Sequence, residues 1–236
     1  MKNSNLVLVT GASSGIGEEI SRKLCEAGFD VILTARNKEK LVKLRHELSN
    51  SGYVSHVIPC DVSSESDVKK LFSETKEIGF VESIVNNAGF GKFSSIDKVA
   101  TKDWDDQINT NLRGSFLITR EFVRDMIQEK RGRIVFINSV AGKYGYPYSA
   151  AYVSSKFGLR GFSESIRGEL REHNIKVISI HPGAINTNFW DNVDADFPKS
   201  EMLDPKCIAD FTLQAITSPG NAVVEEVIIR RTLGDM

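Results

Sequence analysis

The sequence predicts an α/β fold, a doubly wound parallel sheet with helices on both faces. Strand-like runs and helical patterns alternate along the chain, as is typical of right-handed crossovers between parallel strands. The strand-like runs are nearly continuous in Val, Ile and Leu, as expected when helices cover both faces of the sheet. The chain has no linker-like or repetitive stretch, so residues 1–236 are expected to form one domain.

Seven apolar runs are expected to form strands, and five stretches between them carry helical spacing. The predicted strands are Leu6–Thr10, Val31–Ala35, Val54–Cys60, Ser83–Asn87, Arg133–Ser139, Lys176–His181 and Glu225–Arg230. The predicted helices are Ile16–Ala27, Lys38–Ser49, Glu65–Ile78, Trp104–Lys130 and Ala151–Glu172. Gly114 weakens the fourth helix locally, because glycine lowers helix propensity.

Composition narrows the classes of function. Hydrophobic residues make up 41% and the formal net charge is −1, which gives no reason to expect a nucleic-acid or membrane partner. Cys25, Cys60 and Cys207 are far apart and odd in number, so neither a metal site nor a disulfide framework is expected. The first residues lack a signal-peptide pattern, and no apolar run approaches the roughly 20 residues of a membrane span. A cytoplasmic protein is predicted.

A glycine-rich segment joins the first predicted strand to the first helix. Its pattern is G-x-x-x-G-x-G, one residue longer than the usual dinucleotide fingerprint. Glycines permit a tight turn, and the following helix N-terminus presents N–H groups to a pyrophosphate. A packed turn without a ligand is the alternative. The candidate cofactor-binding residues are Gly11, Ser13, Ser14, Gly15, Ile16 and Gly17.

The residue after the second strand indicates which dinucleotide would bind. A site for NAD(H) usually has Asp or Glu there, whereas this chain has Arg36. A guanidinium can pair bidentately with a 2′-phosphate. NADP(H) is therefore the predicted cofactor, with an exposed arginine of no particular role as the alternative.

Two further strand ends contribute candidates on the adenosine side. Asp61-Val62 follows the third strand, and the Asp61 carboxylate either accepts from an adenine amino group or belongs to a helix N-terminus. The amides of Asn86 and Asn87, at the end of the fourth strand, are expected to tie neighbouring loops together, and a purely structural role is plausible for Asn86. Small or polar residues follow it and are expected to line the cofactor: Asn87, Ala88 and Gly89.

A tyrosine and a lysine four residues apart, Tyr152 and Lys156, suggest acid–base chemistry. That spacing is about one helical turn, so both side chains project from one face. An ammonium beside the phenol is expected to lower the tyrosine pKa from about 10 towards neutrality. Ser139 lies thirteen residues before the tyrosine.

With these residues in order, the chain resembles the short-chain dehydrogenase/reductase family over essentially its whole length. The resemblance implies a Rossmann fold with strand order 3-2-1-4-5-6-7 and hydride transfer between nicotinamide and a carbonyl or alcohol. The matching positions are Gly11, Gly15, Gly17, Asp61, Asn86 to Gly89, Asn111, Ser139, Tyr152, Lys156, Pro182, Gly183 and Thr187.

The resemblance also implies a role for each catalytic residue. Tyr152 would donate a proton to the carbonyl oxygen, and Ser139 would hold that oxygen. Lys156 would lower the tyrosine pKa and bind the nicotinamide ribose, and Asn111 would position a water that leads to solvent. The segment after the sixth strand would close over the nicotinamide through Pro182, Gly183, Ile185 and Thr187. His181 precedes it and is read as a satisfied buried histidine rather than a catalytic one.

Two aromatic segments, 142–148 and 189–202, are expected to shape the substrate site, with a lid over about 187–205. They favour a small hydrophobic or aromatic ketone or aldehyde. A 3-oxoacyl reductase acting on an acyl-carrier protein is the alternative, and a non-catalytic NADP(H) sensor is a remoter one. The acidic carrier would need a basic patch, for which there are two candidate groups: Lys130, Arg131 and Arg133, or Arg160, Arg167 and Arg171. The resemblance further implies a homodimer or homotetramer built through the two long helices.

Overall fold

The computed structural model describes residues 5–192 and 198–234, and its centre is a seven-stranded sheet. Every neighbouring pair of strands is parallel, in the order β3-β2-β1-β4-β5-β6-β7. The predicted fold class and strand order are therefore confirmed. The strands are β1 Leu6–Thr10, β2 Asp30–Thr34, β3 Ser55–Val57, β4 Val81–Asn86, β5 Gly132–Ile137, β6 Ile175–Pro182 and β7 Glu226–Ile229.

Helices cover both faces of this sheet, and the core is divided between the faces. Alternate residues of β1 enter different clusters: Val7 and Val9 pack with α1, α2 and α7, whereas Leu6 and Leu8 pack with α3, α5 and α6. This period of two is the pleat of a strand buried on both sides. The helices are α1 Gly15–Glu26, α2 Lys38–Asn50, α3 Glu65–Lys76, α4 Thr101–Gln107, α5 Ser115–Glu129, α6 Ala150–Leu170 and α7 Pro205–Ile216.

The long helix predicted over Trp104–Lys130 is interrupted in the structure. A π-helical segment, Ile108–Gly114, separates α4 from α5. Gly114 lies where a Cβ atom would stand 2.8 Å from Val62 Cγ2, so the absent side chain allows close packing there. π-Helical turns are frequent at functional sites, and this one carries Asn111.

The predicted third strand, Val54–Cys60, is shorter in the structure because only Ser55–Val57 belongs to β3. The hydrogen bonds of Ile58 N to Leu33 O (3.2 Å) and Cys60 N to Ala35 O (3.2 Å) nevertheless keep the chain beside β2. This contact carries Asp61 to the carboxyl edge of the sheet, where most of the other candidate residues also lie.

The three cysteines are free; Cys25 and Cys60 are buried, and burial raises the pKa of each thiol to about 12. Cys207 is half-buried. Over residues 5–192 and 198–234, the structure has no helix both long and apolar enough to cross a membrane.

Candidate active site

The turn between β1 and α1 is packed tightly against the end of β4. The Thr10 hydroxyl accepts hydrogen bonds from the backbone N–H groups of Asn87 and Ala88 (2.9 Å each), and the Asn87 side chain donates to Thr10 O at 2.9 Å. Gly11 adopts a left-handed conformation, with φ +67°. Asn87 is therefore the amide that ties the two loops together, a role that the sequence suggests for the amides of Asn86 and Asn87. The Asn86 side chain instead donates to Thr119 Oγ1 at 3.2 Å.

Gly17 is the tightest glycine of this turn, and its substitution gives a direct test of the turn. A Cβ atom at this position would lie 2.4 Å from both Gly11 O and Asn87 Nδ2. We expect Gly17→Ala to displace the turn and to weaken NADPH binding about five- to 150-fold, since overpacking costs about 1–3 kcal/mol. Fluorescence titration with NADPH measures the effect. The control is Gly168→Ala on α6, because a Cβ atom at Gly168 would have open space around it. Equal NADPH affinity in the two variants would contradict the expectation.

The N-terminus of α1 is open to an anion. Ser14 is the N-cap residue, but its side chain makes no capping hydrogen bond to the first turn. N–H groups in the first turn of a helix have no partner within the helix, and together with the helix dipole they favour negative charge. Ser13 and Ile16 flank this end and are half-buried. The arrangement fits a pyrophosphate.

Arg36 is exposed at the end of β2 and forms no ion pair with the residues that the structure describes. It lines a cavity of about 460 Å³ between the ends of β2 and β3 and the π-helical segment. The other residues of the cavity wall are predominantly polar: Asp61, Ser63, Phe90, Lys102, Asp106, Asn109, Thr110 and Arg113. An uncommitted guanidinium beside a polar cavity suits a phosphate group.

Asp61 and Val62 are placed differently from one another. Asp61 Oδ1 accepts from Ser63 N (2.9 Å) and Ser63 Oγ (2.7 Å), which stabilises the turn before α3, although the N-cap of that helix is Ser64. Asp61 also lines the cavity described above. The Val62 side chain is buried in the core against Gly114, so only its backbone is left to contact a cofactor.

Ser139, Tyr152 and Lys156 come together at the end of β5. Ser139 lies two residues after the strand, as the N-cap of the short 3₁₀ segment Val140–Gly142, and the other two lie on α6. The Ser139 hydroxyl accepts from Ala141 N at 3.1 Å. Burial raises the pKa of Tyr152 to about 12, although part of the residue surface stays accessible. A hydrogen bond with the Ser139 side chain acts in the opposite direction and lowers the pKa.

The predicted lowering of the Tyr152 pKa by Lys156 is wrong for the geometry of this structure. Lys156 Nζ donates to Ile137 O at 2.9 Å and lies 5.8 Å from the centre of the Tyr152 ring. Burial lowers the lysine pKa itself to about 8. Helical spacing correctly places both side chains at one site, but it does not determine where the flexible lysine points. Here a strand-end carbonyl binds the ammonium.

Asn111 is fully buried in the π-helical segment. Its side chain accepts from Phe90 N (3.0 Å) and donates to Phe90 O (2.9 Å) and Ser155 Oγ (3.0 Å). It therefore connects the loop after β4 to α6, and a Cβ on Gly89 would lie 3.1 Å from its Oδ1. None of these hydrogen bonds goes to Lys156, so the water-positioning role of Asn111 stays a prediction.

The segment after β6 crosses over the glycine-rich turn. Gly183, which follows Pro182 at the end of β6, donates to Ile229 O at 2.8 Å, and buried Ile185 forms a parallel bridge with Leu203. Thr187 lies against Gly15, where a Cβ would be 3.2 Å from the threonine Cβ. Of the predicted lid, 187–205, residues 193–197 fall outside the part of the chain that the structure describes.

An aromatic cluster surrounds Tyr152. Phe189 lies 5.6 Å from the tyrosine ring, Phe93 lies 5.9 Å from it, and Trp190 stacks on Phe93 at 6.4 Å with an interplanar angle of 10°. The sequence indicated Phe189 and Trp190 but missed Phe93, which lies outside any motif in an irregular loop. A Cβ on Gly91 would stand 2.7 Å from Phe189 and 2.9 Å from Phe93. The glycine at position 91 is therefore the one sequence feature that could have indicated close packing around Phe93.

Two tyrosine side chains of segment 142–148, which is predicted to shape the substrate site, lie outside this aromatic cluster. Tyr144 and Tyr148 are exposed, and Tyr144 packs under the Arg230 guanidinium at 4.6 Å. The backbone of Tyr148 does reach the site, because its carbonyl accepts from Ser94 N at 2.8 Å. The segment therefore supports the Phe93 loop through its main chain.

Comparison with known proteins agrees with the fold. The sequence profile described as short chain dehydrogenase matches residues 5–197. A sepiapterin reductase of Chlorobaculum tepidum is 35% identical, over 98% of this chain and 98% of that protein. A 3-oxoacyl-(acyl-carrier-protein) reductase of Staphylococcus aureus is 34% identical, over 89% of this chain and 86% of that protein.

Among solved structures, a metagenomic short-chain oxidoreductase in complex with NADP superposes with a TM-score of 0.86 at 35% identity. The match covers 97% of this chain and 98% of that one. The fold and the site thus define an oxidoreductase of the α/β class. The chain belongs to the short-chain dehydrogenase family, and the resemblance seen in the sequence is confirmed.

Proposed function

We propose that this protein is an NADPH-dependent carbonyl reductase, acting on a small hydrophobic or aromatic ketone or aldehyde, with Tyr152 as the proton donor. The observation that carries the proposal is the position of Tyr152, which interacts with Ser139 on one side and with aromatic rings on the other. This arrangement combines an acid, an oxygen-binding hydroxyl and an apolar surface for a substrate.

The residues present fit a bound NADP(H). The open N-terminus of α1 suits the pyrophosphate, Arg36 suits the 2′-phosphate, and Asp61 lies in the cavity between them and the π-helical segment. Around Gly89 and Thr187 the chain would enclose the adenosine and nicotinamide ends respectively. The related short-chain oxidoreductase of the solved complex binds NADP, which agrees with the cofactor predicted from Arg36.

The bound cofactor would supply hydride to the carbonyl carbon. Tyr152 would donate its proton to the carbonyl oxygen, so the substrate gains one hydride and one proton and becomes an alcohol. The Ser139 hydroxyl would donate to the same oxygen and stabilise its developing negative charge. Burial raises the Tyr152 pKa to about 12, which keeps the phenol protonated but makes it a weaker acid, whereas the Ser139 hydrogen bond lowers the pKa and favours proton transfer.

Proton resupply and ribose binding are proposed for Lys156. With its pKa lowered to about 8 by burial, the lysine lies close enough to neutrality to exchange a proton, which favours a relay role. Asn111 would hold the loop after β4 and α6 in register around that relay, since it binds Phe90 and Ser155.

The aromatic cluster favours an aromatic substrate, and Phe93→Ala tests this preference. Ring pairs contribute about 0.5–1.5 kcal/mol beyond area burial, so we expect kcat/KM for aryl ketones to fall about two- to tenfold relative to small aliphatic aldehydes. Steady-state kinetics on both substrate types measure the ratio. Phe211→Ala, which removes a partly exposed aromatic ring on α7, is the control. A uniform loss across aryl and aliphatic substrates would count against the preference.

The 3-oxoacyl reductase alternative draws support from the Staphylococcus aureus relative, but the two basic groups do not help it. Arg133 pairs with Glu82 (2.5 Å) where β5 begins, at the sheet edge opposite the candidate site. Arg167 donates to Val177 O and to Glu225 O. Arg171 pairs with Glu225 at 2.6 Å. Arg133, Arg167 and Arg171 are thus engaged within this chain, and these three residues give the carrier-protein alternative no additional support.

An activity panel separates the remaining readings. Purified protein is supplied with NADPH and with aromatic diketones, simple aldehydes, quinones or an acetoacetyl thioester. Preferred turnover of free carbonyls supports the carbonyl reductase, and preferred turnover of the thioester supports the alternative. NADPH binding without turnover on any substrate would support the sensor.

The proposal also covers the oligomeric state of the protein, the extent of its domain and its location in the cell. Phe116 and Phe157 expose part of their rings on α5 and α6, the helices through which a homodimer or homotetramer would form. Residues 1–236 would act as one domain with a lid over about 187–205. Free thiols at all three cysteines suit a reducing compartment, so a cytoplasmic location is proposed.

A further inference from the structure

His181 is a buried histidine that the proposed chemistry does not use. It has no exposed surface and lies near the end of β6, a strand that pairs with β5 on one side and β7 on the other. Its ring lies between Ser139, at the end of β5, and Glu226, at the start of β7. One of its two ring nitrogens therefore faces the active site, and the other faces an ionic cluster.

The tautomer of His181 follows from its neighbours. Nδ1 lies 3.1 Å from the main-chain oxygen of Ser139, and a carbonyl oxygen can only accept, so Nδ1 carries the hydrogen. Nε2 has no hydrogen-bond partner among the described residues and lies 3.6 Å from Glu226 Oε1. In a neutral ring, Nε2 is then the unprotonated nitrogen.

The ring stays neutral because cations already satisfy the carboxylate that faces it. Lys143 Nζ donates to Glu226 Oε2 at 2.6 Å, and Arg160 Nε lies 3.4 Å from Oε1. Burial acts to raise the Glu226 pKa, but the Lys143 hydrogen bond and the nearby cations hold it below its usual value. Burial lowers the His181 pKa; Glu226 opposes this shift, while Lys143 and Arg160 add to it.

Ser139 is consequently held from several sides. Its carbonyl oxygen accepts from Gly142 N at 2.9 Å as well as from His181, and its hydroxyl accepts from Ala141 N at 3.1 Å. Rotation of the Ser139 peptide would redirect the hydroxyl that faces Tyr152. Of these contacts, the His181 hydrogen bond is the one made by a side chain to the carbonyl, so it can be removed by substitution.

We propose that His181 is a positioning residue for Ser139, whose main-chain carbonyl it fixes through Nδ1–H, while the other edge of the ring faces the Lys143–Glu226–Arg160 cluster. The proposal rests on the proposed reductase function. His181 acts through Ser139 and does not touch the substrate. The sequence alone favours a satisfied buried histidine, whereas among residues 5–192 and 198–234 only Nδ1 has a hydrogen-bond partner.

Two substitutions separate positioning from bulk stability. His181→Leu removes the donor, and His181→Asn restores an N–H group at about the place of Nδ1. We expect His181→Leu to lower kcat by roughly tenfold or more with little change in NADPH affinity, since small misplacement of a catalytic group is costly. His181→Asn is expected to recover most of that kcat. Thr212→Val removes a buried hydrogen bond within α7 and controls for general destabilisation.

The outcomes decide the proposal. A kcat for His181→Leu equal to wild type, or a loss in His181→Asn as large as in His181→Leu, overturns it. Nitrogen-15 NMR of wild-type His181 near neutral pH gives a second readout that needs no turnover. The Nδ1–H tautomer supports the proposal, and the Nε2–H tautomer overturns it. If wild-type protein reduces no carbonyl, the reductase function fails, while the NMR spectrum still tests the His181–Ser139 hydrogen bond.

Discussion

Tyr152→Phe is expected to lower kcat for carbonyl reduction by about 10²- to 10⁴-fold, the usual contribution of a positioned general acid. The substitution removes only the hydroxyl, so the ring keeps its contacts with Phe93 and Phe189. NADPH affinity should therefore stay within about threefold of wild type, a change below 1 kcal/mol. Stopped-flow reduction and NADPH fluorescence titration measure the two quantities separately.

Tyr144→Phe provides the matched control for that experiment. Tyr144 is an exposed tyrosine near the site, and its ring packs under Arg230 rather than in the aromatic cluster. It should retain wild-type kcat. Wild-type kcat in Tyr152→Phe would remove Tyr152 from the chemistry. Parallel losses in both variants would indicate that the substitutions disturb the fold of the site.

Arg36→Ala is expected to raise the Kd for NADPH at least about tenfold while leaving the Kd for NADH nearly unchanged. Hydrogen bonds to charged groups contribute about 1.5–3 kcal/mol, and exposure of the site places the effect near the lower end of that range. The reason is specific: Arg36 is unpaired among the described residues and borders the cavity that contains Asp61. Titration with both dinucleotides at fixed ionic strength measures the selectivity.

Arg45→Ala is the control, since it removes an exposed arginine from α2, the helix that follows Arg36 in the chain. NADPH affinity in this variant should match wild type. A wild-type protein that prefers NADH, or an Arg36→Ala variant with unchanged preference, would contradict the role assigned to Arg36. An equal loss for both dinucleotides would indicate a disturbed site rather than a lost phosphate contact.

Most of the fold could be predicted from the sequence because its signals are local. The apolar runs mark each strand, and β1 coincides with its predicted range, Leu6–Thr10. The exceptions have non-local causes. The π-helical segment within the predicted long helix carries Asn111, whose side chain binds Phe90 and Ser155 from distant parts of the chain. Such a contact leaves no periodic trace in the sequence.

The candidate site shows a similar division. Spacing placed Tyr152 and Lys156 on one helix face, and the strand ends placed Ser139 near them. Spacing could not show that Lys156 binds the Ile137 carbonyl, because a four-carbon side chain reaches several acceptors. Nor could it show Phe93, which approaches Tyr152 only through the path of the loop after β4.

His181 shows what the sequence leaves open at a single residue. A histidine before Pro182 is compatible with a structural or a chemical role, and only the neighbours distinguish them. Ser139 follows β5, and Glu226 begins β7. Both strands are adjacent to β6 in the sheet but distant from it in sequence. The neighbours of the His181 ring therefore follow from the strand order of the sheet and not from the local sequence.

The most direct test of the central claim is to follow the hydride itself. The protein is incubated with the carbonyl panel and with NADPH that carries deuterium at both C4 positions of the nicotinamide. The alcohols are analysed by mass spectrometry, and Tyr152→Phe is treated in parallel. The account predicts alcohol carrying one deuterium on the former carbonyl carbon, formed by wild-type protein and nearly absent in the variant. NADPH binding without deuterated alcohol from any carbonyl, or equal deuterium transfer by Tyr152→Phe, would contradict it.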